Sequence, residues 1–136
     1  MRVLIFGTFD QLHPGHEFVL RKAQARAHST SSGQGELWVV VARDCNILRI
    51  KGKAPVQSEG VRVKAIEKLM PETHVILGDP EDFTAPLRAI NPDLVLLGYD
   101  QALPPGVTEH DFPCPVERLP AFEPETYKSS LRRVIP

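Results

Sequence analysis

Five short apolar runs, at residues 2–6, 37–42, 74–77, 94–97 and 116–119, constrain this chain more than any other feature. Each is rich in Val, Leu or Ile and short enough for a strand buried on both faces. The segments between them carry a different period. Phe18, Val19, Ala23 and Ala27 recur at helical spacing opposite Arg21, Lys22 and Arg26, with Pro14 where a first helical residue belongs. A Ser/Gly-rich loop over residues 28–35 follows. Ser58 is placed to cap a second helix with Val61, Ala65 and Leu69 facing inward and Pro71 ending it. A short helix over residues 84–90 tolerates Pro86 in its first turn, and Asn91-Pro92 closes it. A last helix is expected from Lys128, Ser129 and Ser130 through Leu131 and Val134.

Strands that alternate with helices predict an α/β protein: a Rossmann-like, doubly wound parallel sheet of about five strands with right-handed crossovers. At 136 residues the chain suits a single domain over residues 1–136. Such sheets bind ligands beyond the carboxyl ends of their strands. The functional residues are therefore expected just after the apolar runs, at residues 7–16, at Arg43-Asp44, at residues 98–101 and on the approach to Ser129.

Charge narrows the partners. Sixteen basic residues nearly balance seventeen acidic ones, so there is no polyanion-binding signature and a nucleic-acid polymer is not the expected partner. The N-terminal apolar run lacks the h-region and cleavage site of a signal peptide, and no apolar stretch is long enough to span a bilayer. Cys45 and Cys114 lie far apart without metal-ligand spacing, and are read as buried or free thiols. Together these features predict a cytoplasmic protein that does not engage a membrane.

The stretch Gly7-Thr8-Phe9-Asp10-Gln11-Leu12-His13-Pro14-Gly15-His16 carries the chemistry. With Pro14 as first helical residue, His13 is the N-cap and His16 lies three positions on. Both rings then share the helix entrance with unpaired backbone N–H groups. Gly15 is expected to leave room for a ligand oxygen, Gly7 to permit close approach at the strand end, and the helix dipole to favour an anion, so the natural guest is a phosphate. The plainer alternative is a capping His13 and an ordinary surface His16.

This stretch resembles the signature of the cytidylyltransferase-like nucleotidyltransferase superfamily. The resemblance implies transfer of a nucleotidyl group from a nucleoside triphosphate to a phosphate-bearing acceptor, with release of pyrophosphate and no covalent enzyme intermediate. It gives His13 and His16 the task of donating to the triphosphate, and Thr8 and Phe9 the backbone and hydroxyl contacts beside it. Asp10 would shape the site on the acceptor side, or serve only as a turn carboxylate. Tyr127-Lys128-Ser129-Ser130-Leu131-Arg132 resembles the family's second signature. By it Ser129 and Ser130 would bind β- and γ-phosphate oxygens and Arg132 would follow the leaving pyrophosphate.

Within the basic cluster Arg49-Ile50-Lys51-Gly52-Lys53, expected in a long loop, the resemblance makes Lys51 the residue that reaches the triphosphate. Arg62 matches a phosphate-binding arginine of the following helix, or is an exposed helix arginine. Mg²⁺ is expected on the triphosphate, held by substrate oxygens and water. The segments Val41-Ala42-Arg43-Asp44 and Leu97-Gly98-Tyr99-Asp100-Gln101 resemble archaeal-type FAD synthases, as do Lys51-Gly52-Lys53-Ala54-Pro55, Ile76-Leu77-Gly78 and Asn91-Pro92-Asp93. On that likeness the substrates are ATP and FMN. Asp44 lies on the acceptor side, Tyr99 stacks on a flat ring or packs, Asp100 meets the acceptor or the nucleotide sugar, and the assembly is a homodimer. The alternative reading is a cytidylyltransferase using CTP and glycerol 3-phosphate or another alcohol or sugar phosphate. A third is a non-catalytic nucleotide-binding module.

Overall fold

A computed structural model describes residues 1–28, 35–98, 101, 103 and 107–119. The expected last helix, with Ser129, Ser130 and Arg132, lies outside these residues, as do Tyr99 and Asp100. The five apolar runs form strands β1 (Arg2–Gly7), β2 (Glu36–Val41), β3 (His74–Leu77), β4 (Leu94–Leu97) and β5 (Val116–Arg118). They pair in parallel in the order β3-β2-β1-β4-β5. Since β2 and β3 step out on one side of β1 and β4 and β5 on the other, the crevice above the β1/β4 boundary is the binding position of a doubly wound sheet.

The two faces of the sheet divide by strand parity, as a period of two requires. Val3, Ile5, Val39, Val41, Leu94 and Leu96 pack on one face against helix α1 (Pro14–Ala27) and helix α3 (Glu59–Leu69). Leu4, Phe6, Val40, Val95 and Leu97 pack on the other against α4 (Ala85–Ile90) and Phe112. Both faces being covered, the strands read as continuous apolar runs.

Three local expectations are corrected. Residues 44–51 are not loop but helix α2 (Asp44–Lys51). Ile47 buries it, and Gly52, at a left-handed φ of 80°, ends it through a bond from its N–H to Leu48 O. Helix α3 is capped by Ser58 as expected, but it turns Arg62, Ile66 and, at its C-cap, Met70 inward, whereas Val61 is 48% exposed. An arginine with buried acceptors waiting for it has displaced the apolar residue from the inner face. On α1 the fully buried residues are Leu20, Ala23 and Ala27, with Phe18 and Val19 only partly covered.

Candidate active site

The turn between β1 and α1 takes its shape from two residues in the left-handed region, Phe9 at φ 52° and Gln11 at φ 56°. Each costs a non-glycine residue about 1–2 kcal/mol, so the surroundings must hold them. Phe9 is 4% exposed, and its ring lies against Gly7, where a Cβ would stand 2.5 Å from Phe9 Cε2. Gly7 therefore makes room for this ring. Asp10 fastens the turn to residues 56 and 57, accepting from Val56 N at 2.7 Å and Gln57 N at 2.8 Å. Gln57 answers through its side chain, which accepts from Gln11 N at 2.9 Å. The two main-chain bonds, to Gln57 and then Val56, hold the Asp10 carboxyl below its ordinary pKa.

At the α1 entrance His13 is the N-cap, with Pro14 following, as the spacing predicts. His13 Nδ1 accepts from Gly15 N at 3.0 Å, so the neutral ring carries its proton on Nε2 and presents it as a donor. A Cβ on Gly15 would stand 2.9 Å from His13 Cε1. That glycine accommodates the capping imidazole. The His13 and His16 rings stack with centroids 3.9 Å apart and 24° between planes, and Phe9 meets His16 edge-on at 5.6 Å. His16 Nδ1 is buried without a hydrogen-bond partner among the described residues. Burial first, and the neighbouring His13 second, push the His16 pKa down from 6.5 to about 4, against a smaller opposing pull from Asp10. At neutral pH its ring is uncharged.

Lys51 ends α2 with its Nζ 3.5 Å from Thr8 Oγ1, which brings a cation to the signature turn from the β2 side. Arg62 is neither at an open phosphate position nor on the surface, for its side chain is 0% exposed. It donates to Gln57 O (3.1 Å), Thr8 O (2.9 Å), Ala42 O (2.8 Å) and Asp44 Oδ1 (2.6 Å). Asp44 is correspondingly engaged: its N–H donates to Glu59 Oε1 at 2.8 Å, and its Oδ2 accepts from Glu59 N at 3.2 Å. The two helix starts thus cap each other.

On the β4 side, Gln101 closes the turn that follows the strand. Its Oε1 accepts from Gly98 N at 2.9 Å and its Nε2 donates to Phe6 O at 3.2 Å, so one side chain ties the carboxyl ends of β4 and β1 together. Arg118 donates to Gly98 O at 3.1 Å and Gln101 O at 2.8 Å. Gln57, Glu59 and Gln101 were not singled out by their sequence. The only local signal is position: Gln57 and Glu59 flank the cap Ser58, and Gln101 stands three residues beyond a strand-ending glycine.

Among the described residues no group of three or more His, Cys, Asp or Glu side chains could hold a metal ion, and no helix is long and apolar enough to cross a membrane. The Asp10 carboxylate, which acts on His16, is occupied by the main-chain N–H groups of Val56 and Gln57.

The chain is similar to known proteins. The FAD synthase of Methanopyrus kandleri is 39% identical over 127 residues, covering 90% of this chain and 81% of its own. That of Korarchaeum cryptofilum is 35% identical over 139 residues, covering 98% and 91%. The crystal structure of the lipopolysaccharide core biosynthesis protein from Thermoplasma volcanium superposes with a TM-score of 0.73 at 30% identity, over 90% of this chain and 98% of that one. The Cytidylyltransferase-like family matches residues 4–113, a span that takes in the signature turn, both histidines, Lys51 and the β4 end, and it is to this family that the chain belongs.

Proposed function

We propose that the protein transfers the adenylyl group of ATP to the phosphate of FMN, forming FAD and pyrophosphate. The observation that carries the reaction type is the stacked His13–His16 pair at the α1 entrance, with Lys51 reaching the same turn from the end of α2. The FAD synthases that cover most of the chain supply the acceptor.

In the reaction an FMN phosphate oxygen attacks the α-phosphorus as the bond to the β-phosphate oxygen breaks. The acceptor needs no general base at neutral pH, so the protein's work is alignment and stabilisation of charge. His13 donates through Nε2 and His16 through the ring nitrogen that is not buried, while Lys51 balances charge on the triphosphate with Thr8 beside it. Ser129, Ser130 and Arg132 are assigned the β- and γ-phosphates and the leaving pyrophosphate. Tyr99 and Asp100 take the acceptor or the sugar, and Asp44 with Asp10 frames the acceptor side as a scaffold. Mg²⁺ enters as the complex with ATP, since a triphosphate and water supply the hard oxygen ligands it prefers. Two free thiols, Cys45 and Cys114, support a cytoplasmic location. The homodimer belongs to the same proposal and is read by light scattering.

The test is pyrophosphate release by purified protein with Mg²⁺, offering ATP or CTP against FMN or glycerol 3-phosphate, with the product weighed by mass spectrometry. FAD from ATP and FMN alone is expected. Release only with CTP would replace the proposal with a cytidylyltransferase.

A further inference from the structure

Arg62 is the only charged side chain in the core among the described residues. A guanidinium is costly to withdraw from water unless its donors are met, and the helix that carries it would be as well served by an apolar residue of similar volume. Its acceptors show what the charge is for. Three are main-chain carbonyls drawn from three segments at the carboxyl edge of the sheet: Thr8 in the signature turn, Ala42 after β2, and Gln57 before α3.

The Thr8 contact dictates the direction of the peptide group that follows. No peptide bond among the described residues is cis, so Thr8 C=O and Phe9 N–H point in opposite directions within one plane. With the oxygen held 2.9 Å from Arg62 Nη1, the N–H is turned away from the guanidinium. No described residue accepts from Phe9 N. A main-chain donor left without a protein partner is kept for water or for a ligand. The left-handed φ of 52° at Phe9 is the conformation that this arrangement sustains, and Gly7 clears the space its ring needs.

We propose that Arg62 is a positioning residue: by gripping the Thr8 carbonyl it aims the Phe9 N–H at the α-phosphoryl group of the bound triphosphate. It never touches substrate. The negative charge that develops on the α-phosphoryl oxygens during transfer then meets a donor already in place, which needs no reorganisation at the moment of reaction. This inference rests on the nucleotidyl-transfer reading, and its failure can be told apart from failure of that reading.

Arg62→Lys keeps the charge but cannot reach Thr8 O, Ala42 O and Asp44 together. Loss of one aimed donor lowers kcat by about 10²-fold. The expected result is such a fall with KM for ATP nearly unchanged and a native near-UV spectrum. The ratio of turnover between the Sp and Rp diastereomers of ATPαS should contract as well, because the α-phosphoryl oxygens are no longer distinguished by this donor. A fall in kcat with an unchanged diastereomer ratio would make Arg62 merely structural and overturn the proposal, as would wild-type kcat. If the variant does not fold, the wild-type protein decides. Its Phe9 amide proton should move downfield when Mg²⁺ and the α,β-methylene analogue of ATP are added, and an unmoved resonance overturns the proposal. A responsive Phe9 amide in a protein that makes no FAD would support the positioning role while sinking the FMN assignment.

Discussion

His16 should be uncharged in the free protein throughout the physiological range, and both its titration and the stability of the fold test this. Burial and the stacked His13 ring carry its pKa from 6.5 to about 4. At about 1.4 kcal/mol for each pH unit, that displacement is worth about 3 kcal/mol, which partial solvent access reduces to about 1–2 kcal/mol. The sign follows from proton uptake. Between 6.5 and about 4 the unfolded chain binds a proton at this residue and the folded chain does not. The contribution is therefore complete above pH 6.5 and lost progressively as the pH falls to about 4. Urea unfolding of wild type and of His16→Gln across pH 4–7 isolates it, since the other titrating groups are common to both. Wild type should lose about 1–2 kcal/mol more than the variant over that span. Ring NMR signals give the direct reading, with no inflection near 6.5 for His16. Adding a triphosphate should raise its pKa, because the phosphate charge favours the imidazolium. Parallel unfolding curves, or a His16 titration at an ordinary histidine value in the free protein, would refute the reasoning.

Lys51→Ala should lower turnover by roughly 10-fold or more with little change in melting temperature, since among the described residues the exposed side chain has only the Thr8 hydroxyl as a partner, at 3.5 Å. A matching loss of stability would mark a structural lysine. Gly7→Ala puts a methyl 2.5 Å from the buried Phe9 ring, so the ring must leave its seat. The expected cost is about 1–3 kcal/mol by thermal unfolding, together with slower turnover, and a variant of wild-type stability would show that the turn is not held as described. Ile66→Ala should cost about 2–5 kcal/mol and Val61→Ala about 0.5 kcal/mol or less, and the reverse order would mean that α3 is rotated differently.

Most of the architecture was legible because the central strands β1, β2 and β4 are covered on both faces, which leaves a run of Val, Leu and Ile with no other use. The first helix was legible through Pro14, and its entrance through the spacing of His13 and His16. Helix α2 was missed because its apolar residues do not describe one inward stripe: Ile47 is buried while Leu48 and Ile50 are each about half exposed. What starts it is remote in sequence, the reciprocal Asp44–Glu59 caps, and only the glycine that ends it is local. Arg62 was misread for a related reason. A helical wheel scores arginine as polar and turns it outward, and nothing local reveals that three carbonyls converge on the opposite side.

From the amino-acid sequence alone came the parallel sheet, the place where a ligand is expected, the residue types proposed to meet a triphosphate and the family those residues resemble. The tertiary structure decided what each glycine makes room for, the neutral state of His16, the nearness of Lys51 to Thr8 and the burial of Arg62. Periodicity and caps are short-range properties that a chain carries within a few residues. Protonation state and the direction of a peptide group depend instead on desolvation and on partners dozens of residues away, and those exist only once the strands have brought their carboxyl ends together.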